Sequence, residues 1–217
     1  MKISKKIISY FLVSLLVFGT FINVDASSFK DTSGHWAEEV IEKWVSEGII
    51  NGYDGYFNPD DSITRGDVAV ILCRYKKYET IGQNTFKDLS FDDYFADEVL
   101  KLSYEGIIYG DVGGYIRPFD SITREEAFVM INRICKFKGN TVKQFADNDL
   151  ISAWARDDVL ALCANHVVNG SEGYINPTMN ITRAEFVQVV ENMNKAVSQI
   201  DFTTVIGADD QWLGKIK

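Results

Sequence analysis

Ile63-Thr64-Arg65-Gly66-Asp67 returns as Ile122-Thr123-Arg124-Glu125-Glu126 and again as Ile181-Thr182-Arg183-Ala184-Glu185, each copy 59 residues after the last. The sequence ahead of it keeps the same register. Gly55-Tyr56-Phe57-Asn58-Pro59 is matched by Gly114-Tyr115-Ile116-Arg117-Pro118 and Gly173-Tyr174-Ile175-Asn176-Pro177. Farther upstream stand Trp36-Ala37, Phe95-Ala96 and Trp154-Ala155, preceded by a Phe-x-Asp at Phe29/Asp31, Phe86/Asp88 and Phe145/Asp147, whose steps are 57 and 59. Registers that coincide at one spacing this often define an internal repeat used three times.

Each repeat reads as helix, loop, helix. The second helix carries Val68, Ile71, Leu72 and Tyr75 in repeat 1, Ala127, Met130, Ile131 and Ile134 in repeat 2, and Phe186, Val189, Val190 and Met193 in repeat 3. These fall at i, i+3, i+4 and i+7, one apolar stripe along one helix face. The first helix repeats the pattern with Ala37, Val40, Ile41 and Trp44, then Ala96, Val99 and Leu100. Repeat 3 places Asp158 where Val40 and Val99 stand, which narrows its stripe. Thr64, Thr123 and Thr182 begin capping boxes, in which the hydroxyl accepts an orphan backbone N–H and an acid three residues on reaches back. Glu126 and Glu185 have the reach, and Asp67 is one methylene shorter. After the first helix Gly48 and Gly106 supply the left-handed residue a helix end favours, and repeat 3 offers Asn165.

A two-helix unit cannot bury its own stripe, whereas three stripes facing a shared axis can. The expected fold is therefore all-α: three helix-loop-helix repeats in a pseudo-threefold trimer of repeats around a central helical bundle, with an open solenoid as the alternative. The expected divisions are a signal peptide at 1–26, repeats at 27–84, 85–143 and 144–196, and a short C-terminal tail at 197–217. The signal assignment rests on Lys2, Lys5 and Lys6, the uncharged run from Ile7 to Val24, and the small-x-small ending Val24-Asp25-Ala26. The competing reading of that run is an uncleaved membrane anchor.

The Phe-x-Asp start, His35-Trp36-Ala37, Gly48-Ile49-Ile50-Asn51-Gly52, Phe57-Asn58-Pro59 and Ile63-Thr64-Arg65 together resemble the S-layer homology domain. Three tandem copies match that family's usual arrangement. The resemblance implies a three-pronged trimer of repeats that binds secondary cell wall polysaccharide bearing pyruvate ketals and so retains exported proteins on Gram-positive surfaces. With the signal peptide it implies a secreted location in the cell wall or S-layer, and removal of the signal leaves no stable membrane insertion. Three repeats that close one body within a chain point to a monomer. A protein-binding surface scaffold on the same fold is the alternative function.

The residues offer their own case for a ligand. Arg65, Arg124 and Arg183 each open a capped helix, where a cation opposes the helix dipole. Beside free helix N–H groups such an arginine makes an anion site, and a guanidinium grips a carboxylate through two parallel hydrogen bonds. On this reading, replacing the arginine leaves stability unchanged or slightly raised. The competing reading pairs each arginine internally with Asp31, Asp88 or Asp147, which are also candidate ligand residues. Trp36 and Trp154 are candidate sugar platforms, with Phe95 as the repeat-2 counterpart. Tyr56, Tyr115 and Tyr174 read as packing beneath their loops. Repeat 2 departs most, with Phe95 for Trp, Tyr109 for Asn51 and Arg117 for Asn58. Its groove is expected to be altered or silent, and Arg124 to matter least.

The 217 residues carry a formal net charge of −9, which argues against a nucleic-acid binder. Two histidines and three cysteines leave little for a metal site, and none is expected, nor any cofactor. No catalytic residues are assigned. Nucleophile-elbow, zincin and P-loop motifs are absent, and the 21 residues past Ala196 are too few for a catalytic domain. The loop acids do not follow the alternating calcium pattern. Cys73, Cys135 and Cys163 are odd in number, so at least one stays free or pairs between chains. They read as buried free thiols with no reactive role, Cys73 and Cys163 as small hydrophobes beside apolar runs, and His166 as a turn residue.

Overall fold

The structure is a computed structural model. It describes residues 29–139 and 145–213, with side chains through residue 200. The leader assigned at 1–26 lies outside the described residues. The elements are α1 (Glu38–Ser46), α2 (Arg65–Lys76), α3 (Ala96–Tyr104), α4 (Arg124–Cys135), a 3₁₀ turn (Asn148–Leu150), α5 (Arg156–Ala164) and α6 (Arg183–Leu213). The described residues are all-α, joined by isolated bridges and not by strands. The backbone of α6 runs on through the stretch read from the sequence as a tail, as far as Leu213.

The repeats are joined through the residue just ahead of each second helix. Ile63 N–H donates to the Ile181 carbonyl, Ile181 to Ile122, and Ile122 to Ile63, each at 3.1 Å. The three bonds close on themselves, and all three isoleucine side chains are fully buried. Around this triangle each second helix packs on the first helix of the following repeat, α2 on α3, α4 on α5 and α6 on α1, and α4 also packs on α6. A stripe that no single repeat can cover is thus covered by its neighbour.

The helix starts are finished the same way. The first N–H groups of a helix have no partner inside it. Arg65 and Gly66 donate theirs to the Asp120 and Pro118 carbonyls, Arg124 and Glu125 to Met179 and Pro177, and Arg183 and Ala184 to Asp61 and Pro59. The next N–H goes to the threonine hydroxyl: Asp67 to Thr64, Glu126 to Thr123 and Glu185 to Thr182. Thr123 and Thr182 complete the box, since their own N–H groups reach Glu126 and Glu185 at 3.0 Å. Asp67 is too short to do so. It accepts instead from the Thr64 hydroxyl at 2.9 Å and the Tyr94 hydroxyl at 2.6 Å.

Polar substitutions on the stripes have partners. Asp158, the odd residue of α5, accepts from Asn132 of α4 at 2.7 Å. At the position of Asn132 in repeat 3 stands Glu191, buried between α6 and α1. Lys43 of α1 lies 2.6 Å from it and Lys195 3.3 Å. Burial pushes the Glu191 carboxyl up, but the hydrogen bonds from Lys43 and Lys195 more than reverse this, and it titrates below the usual glutamate range. Cys73 and Cys163 lie in the core, and burial raises the Cys73 thiol and holds that of Cys135 up at about 11, so neither is a ready nucleophile.

One boundary differs from the sequence reading. The left-handed residue after α5 is His166 at φ 58°, not Asn165, which stays at φ −99° and donates its side-chain amide back to the Ala161 carbonyl. Gly48 and Gly106 hold this conformation at φ 72° and 69° without a Cβ penalty. Replacing His166 with Gly should therefore stabilise the fold by about 0.5–1 kcal/mol, read as a raised melting temperature.

The Glu191 clasp gives a pH dependence with a definite sign. A carboxyl whose folded pKa is depressed contributes its full stability above the unfolded value and loses it as pH falls through the folded one. From about pH 5 to about pH 3 the melting temperature of the native protein should fall more steeply than that of Glu191→Gln. Parallel curves would remove the clasp as a source of acid sensitivity.

Candidate functional site

The cyclic order of the repeats builds three grooves, each from all three repeats. The groove of repeat 1, about 500 Å³, is lined by its own Asn51, Tyr56, Phe57 and Arg74, by Arg183 from repeat 3 and by Tyr94 from repeat 2. The groove of repeat 2, about 570 Å³, has Tyr109, Arg117 and Arg133, with Arg65 from repeat 1 and Trp154 from repeat 3. The groove of repeat 3, about 350 Å³, has Val168, Asn169 and Gln188, with Arg124 from repeat 2 and Trp36 from repeat 1.

Each helix-opening arginine reaches into the following repeat. Arg65 Nε donates to the Ile116 carbonyl at 2.9 Å, and its Nη1 lies 3.3 Å from Glu126. Arg124 Nε donates to the Ile175 carbonyl and its Nη1 to Glu185, both at 2.7 Å. Arg183 Nε donates to the Phe57 carbonyl at 2.9 Å and its Nη2 to the Asn51 carbonyl at 3.1 Å, while Nη1 stands 3.6 Å from Asp67. The acid in each pair is the capping acid of the next helix, so one carboxylate serves its own cap and its neighbour's arginine. Burial holds the Arg65 guanidinium below its ordinary value, against the pull of Glu126.

Two expectations are corrected by this geometry. The internal partners of the arginines are Glu126, Glu185 and Asp67, not Asp31, Asp88 and Asp147. Those three aspartates each clamp a loop, accepting two consecutive backbone N–H groups: Phe57 and Asn58 for Asp31, Ile116 and Arg117 for Asp88, Ile175 and Asn176 for Asp147, all within 2.6–2.9 Å. For Asp31 burial pushes the carboxyl up, but the amides of Phe57 and Asn58 outweigh it and hold the pKa below its ordinary value. The helix N–H groups offered as an anion cradle are also spent, on the next repeat's carbonyls and on the threonines. What remains toward the grooves is the guanidinium itself. Among the described residues Nη2 of Arg65 and of Arg124 has no protein partner.

The aromatics divide. Trp36 and Trp154 stand about 60% exposed at the groove edges, whereas Phe95 is buried. Its ring lies over Gly66, where an added Cβ would come within 2.6 Å of Cδ1. Glu125 and Ala184 occupy that position in the other copies, so only repeat 1 leaves room for the inward turn. Glu125 instead accepts the Ser152 N–H and hydroxyl at 2.9 and 2.7 Å, fixing the chain two residues before Trp154. Tyr94 replaces Phe95 at its groove, with its hydroxyl on Asp67. Burial and that hydrogen bond hold the phenol well above its usual range.

Tyr94, Arg74, Arg133 and Gln188 were not singled out from sequence. Arg74, Arg133 and Gln188 line the groove of their own repeat from its second helix, whereas the signal for Tyr94 is the cyclic offset: each groove takes its helix-opening arginine from the repeat before and its aromatic from the repeat after. By that rule Arg124 belongs to the groove that keeps Trp36 and Asn169, and the arginine facing Tyr109 is Arg65. The premise for ranking Arg124 last, that it serves the groove of repeat 2, is therefore corrected. Tyr56, Tyr115 and Tyr174 are half-exposed and not packed beneath their loops. Lys30 lies over the Tyr56 ring at 4.6 Å and Lys87 over Tyr115 at 5.3 Å.

A closed ring of helix-loop-helix repeats with arginine-and-aromatic grooves defines a repeat-built binding module. The chain belongs to the S-layer homology domain family, which it matches at residues 28–69, 85–128 and 144–187. It is 30% identical over 192 residues to the surface-layer 125 kDa protein of Lysinibacillus sphaericus, covering 84% of this chain and 16% of that protein. It is 32% identical to the amylopullulanase of Thermoanaerobacterium thermosulfurigenes over 75% of this chain and 9% of that enzyme. It is 28% identical to S-layer protein EA1 of Bacillus anthracis over 91% of this chain and 24% of that protein. The chain thus spans less than a quarter of the length of these relatives.

The arginines hold the ring together whatever else they do. Arg124→Ala removes two short charge-assisted bonds between repeats 2 and 3 and should lower stability by roughly 1–3 kcal/mol. Arg183→Ala, whose acid partner is 3.6 Å away, should lower it less. Thermal melting of the two variants checks the order, and a fall in either is opposite in sign to the rise expected from the dipole alone.

Proposed function

We propose that the chain is a non-catalytic module of the cell surface, anchoring by binding secondary cell wall polysaccharide in the grooves between its repeats, with a pyruvylated sugar as the recognised unit. The observation that carries this is the recurring pairing of a guanidinium with an exposed indole: Arg65 with Trp154 and Arg124 with Trp36, each across a groove of a few hundred Å³. An indole face packs on sugar C–H surface. A partly committed guanidinium with one free nitrogen donates to the carboxylate of a ketal. Family membership supports the anchoring part of the reading, and the surface-layer relatives support a secreted location in the cell wall. Asp31, Asp88 and Asp147 serve the site by shaping the loops that line it, and the caps Thr64, Thr123 and Thr182 by fixing the helix starts. The ring closes within one chain, which supports a monomer. Among the described residues no helix is long and apolar enough to cross a membrane.

The test is binding of the purified protein to cell wall sacculi before and after hydrofluoric acid removes the polysaccharide. Binding should be lost on stripping, and Trp154→Ala should weaken it about tenfold or more without lowering the melting temperature, because that side chain is exposed. Binding that survives stripping would transfer the function to a protein partner on the same surface.

A further inference from the structure

The three grooves differ in charge. That of repeat 1 sets Arg74 and Arg183 against Asp61 and Asp67, and that of repeat 3 sets Arg124 against Glu185. That of repeat 2 sets Arg65, Arg117 and Arg133 against Asp111 and Glu126. Of these grooves only the last has a cation in excess, in a chain of net charge −9.

Arg117 supplies the excess. It sits at φ 51°, in the left-handed region, where the other two copies have Asn58 and Asn176 at 57° and 54°. Asparagine tolerates that conformation, and an arginine holds it under strain. Among the described residues no short side-chain bond of Arg117 repays the strain. Arg117 Nε is 3.9 Å from Asp111 Oδ2, and the other oxygen of that carboxylate is already taken by the N–H groups of Gly113 and Tyr115. After burial and Glu126, the charge of Arg117 is the next influence on Arg65, and it lowers that group's pKa, so the two guanidiniums repel across the groove. Arg133 is fixed beside them, 4.6 Å over the Tyr109 ring and donating to the Ile107 carbonyl at 2.9 Å.

We propose that the groove of repeat 2, far from silent, takes an acidic saccharide bearing two anionic groups, Arg117 contacting the second, whereas the other grooves take one. The proposal rests on the glycan-binding reading. Its cavity of about 570 Å³ is of the size that holds drug-sized ligands. Two guanidiniums that repel across the groove gain most from a ligand that separates them with negative charge.

Calorimetric titration with synthetic disaccharides carrying one or two pyruvate ketals tests it, on the full chain and on Arg117→Asn. The native protein should bind the doubly substituted sugar about tenfold or more tighter, at one site per chain. Added salt should narrow the difference. In Arg117→Asn the ratio should collapse toward one while the melting temperature holds or rises, because asparagine relieves the strain. Equal affinities in the native protein, or a preference that survives Arg117→Asn, would overturn the proposal and leave the anchoring function intact. Failure of both sugars to bind would overturn the glycan reading and this inference with it.

Discussion

Everything in the molecule depends on three backbone hydrogen bonds, Ile63 to Ile181, Ile181 to Ile122 and Ile122 to Ile63. They bring the starts of the three second helices to one point. Each start then has the next repeat's loop carbonyls within reach of its orphan N–H groups. Such groups, buried without partners, would be costly in free energy. No repeat can satisfy its own, so the helices are complete only when the ring is closed. Apolar burial, capping and loop position therefore form together.

The arginines follow from the same constraint. A cation at a helix start is locally unfavourable, and Arg65, Arg124 and Arg183 are tolerated because each leaves its own helix and enters the electronegative surroundings of the next. There it finds a loop carbonyl and the capping acid of the neighbouring helix. One side chain thus ties two repeats and presents what is left of its charge to a groove. The loop aspartates act at one remove. By holding consecutive N–H groups they aim the loop carbonyls at the neighbour's arginine.

Repetition does not make the grooves alike. Gly66 admits Phe95 to the core, and Tyr94 must then serve at the groove edge with its hydroxyl committed to Asp67. Glu125 at the equivalent position of α4 fixes the approach to Trp154. Arg117 replaces an asparagine and changes the balance of charge in one groove only. A single position on the second helix, occupied by Gly66, Glu125 or Ala184, thereby influences which aromatic the next repeat exposes.

The sequence by itself determined the local chemistry. The 59-residue spacing established three repeats, the i, i+3, i+4 stripes established helices, and the threonine-acid pairs marked where the second helices begin, including the poorer box at Asp67. These are properties of residues near one another in the chain, and periodicity and capping report on them directly. Only the tertiary structure decided which residue meets which. Arg65 faces Glu126 and not Asp88, Arg124 faces the groove of repeat 3 and not that of repeat 2, and Phe95 turns inward while Trp36 and Trp154 turn out. Each groove joins residues from all three repeats, 89 or more positions apart at its extremes, and a repeat read in isolation looks the same whether its arginine serves its own loop or its neighbour's. The physical reason is the orphaned helix start. Its partners are carbonyls of another repeat, and only closing the ring selects which one.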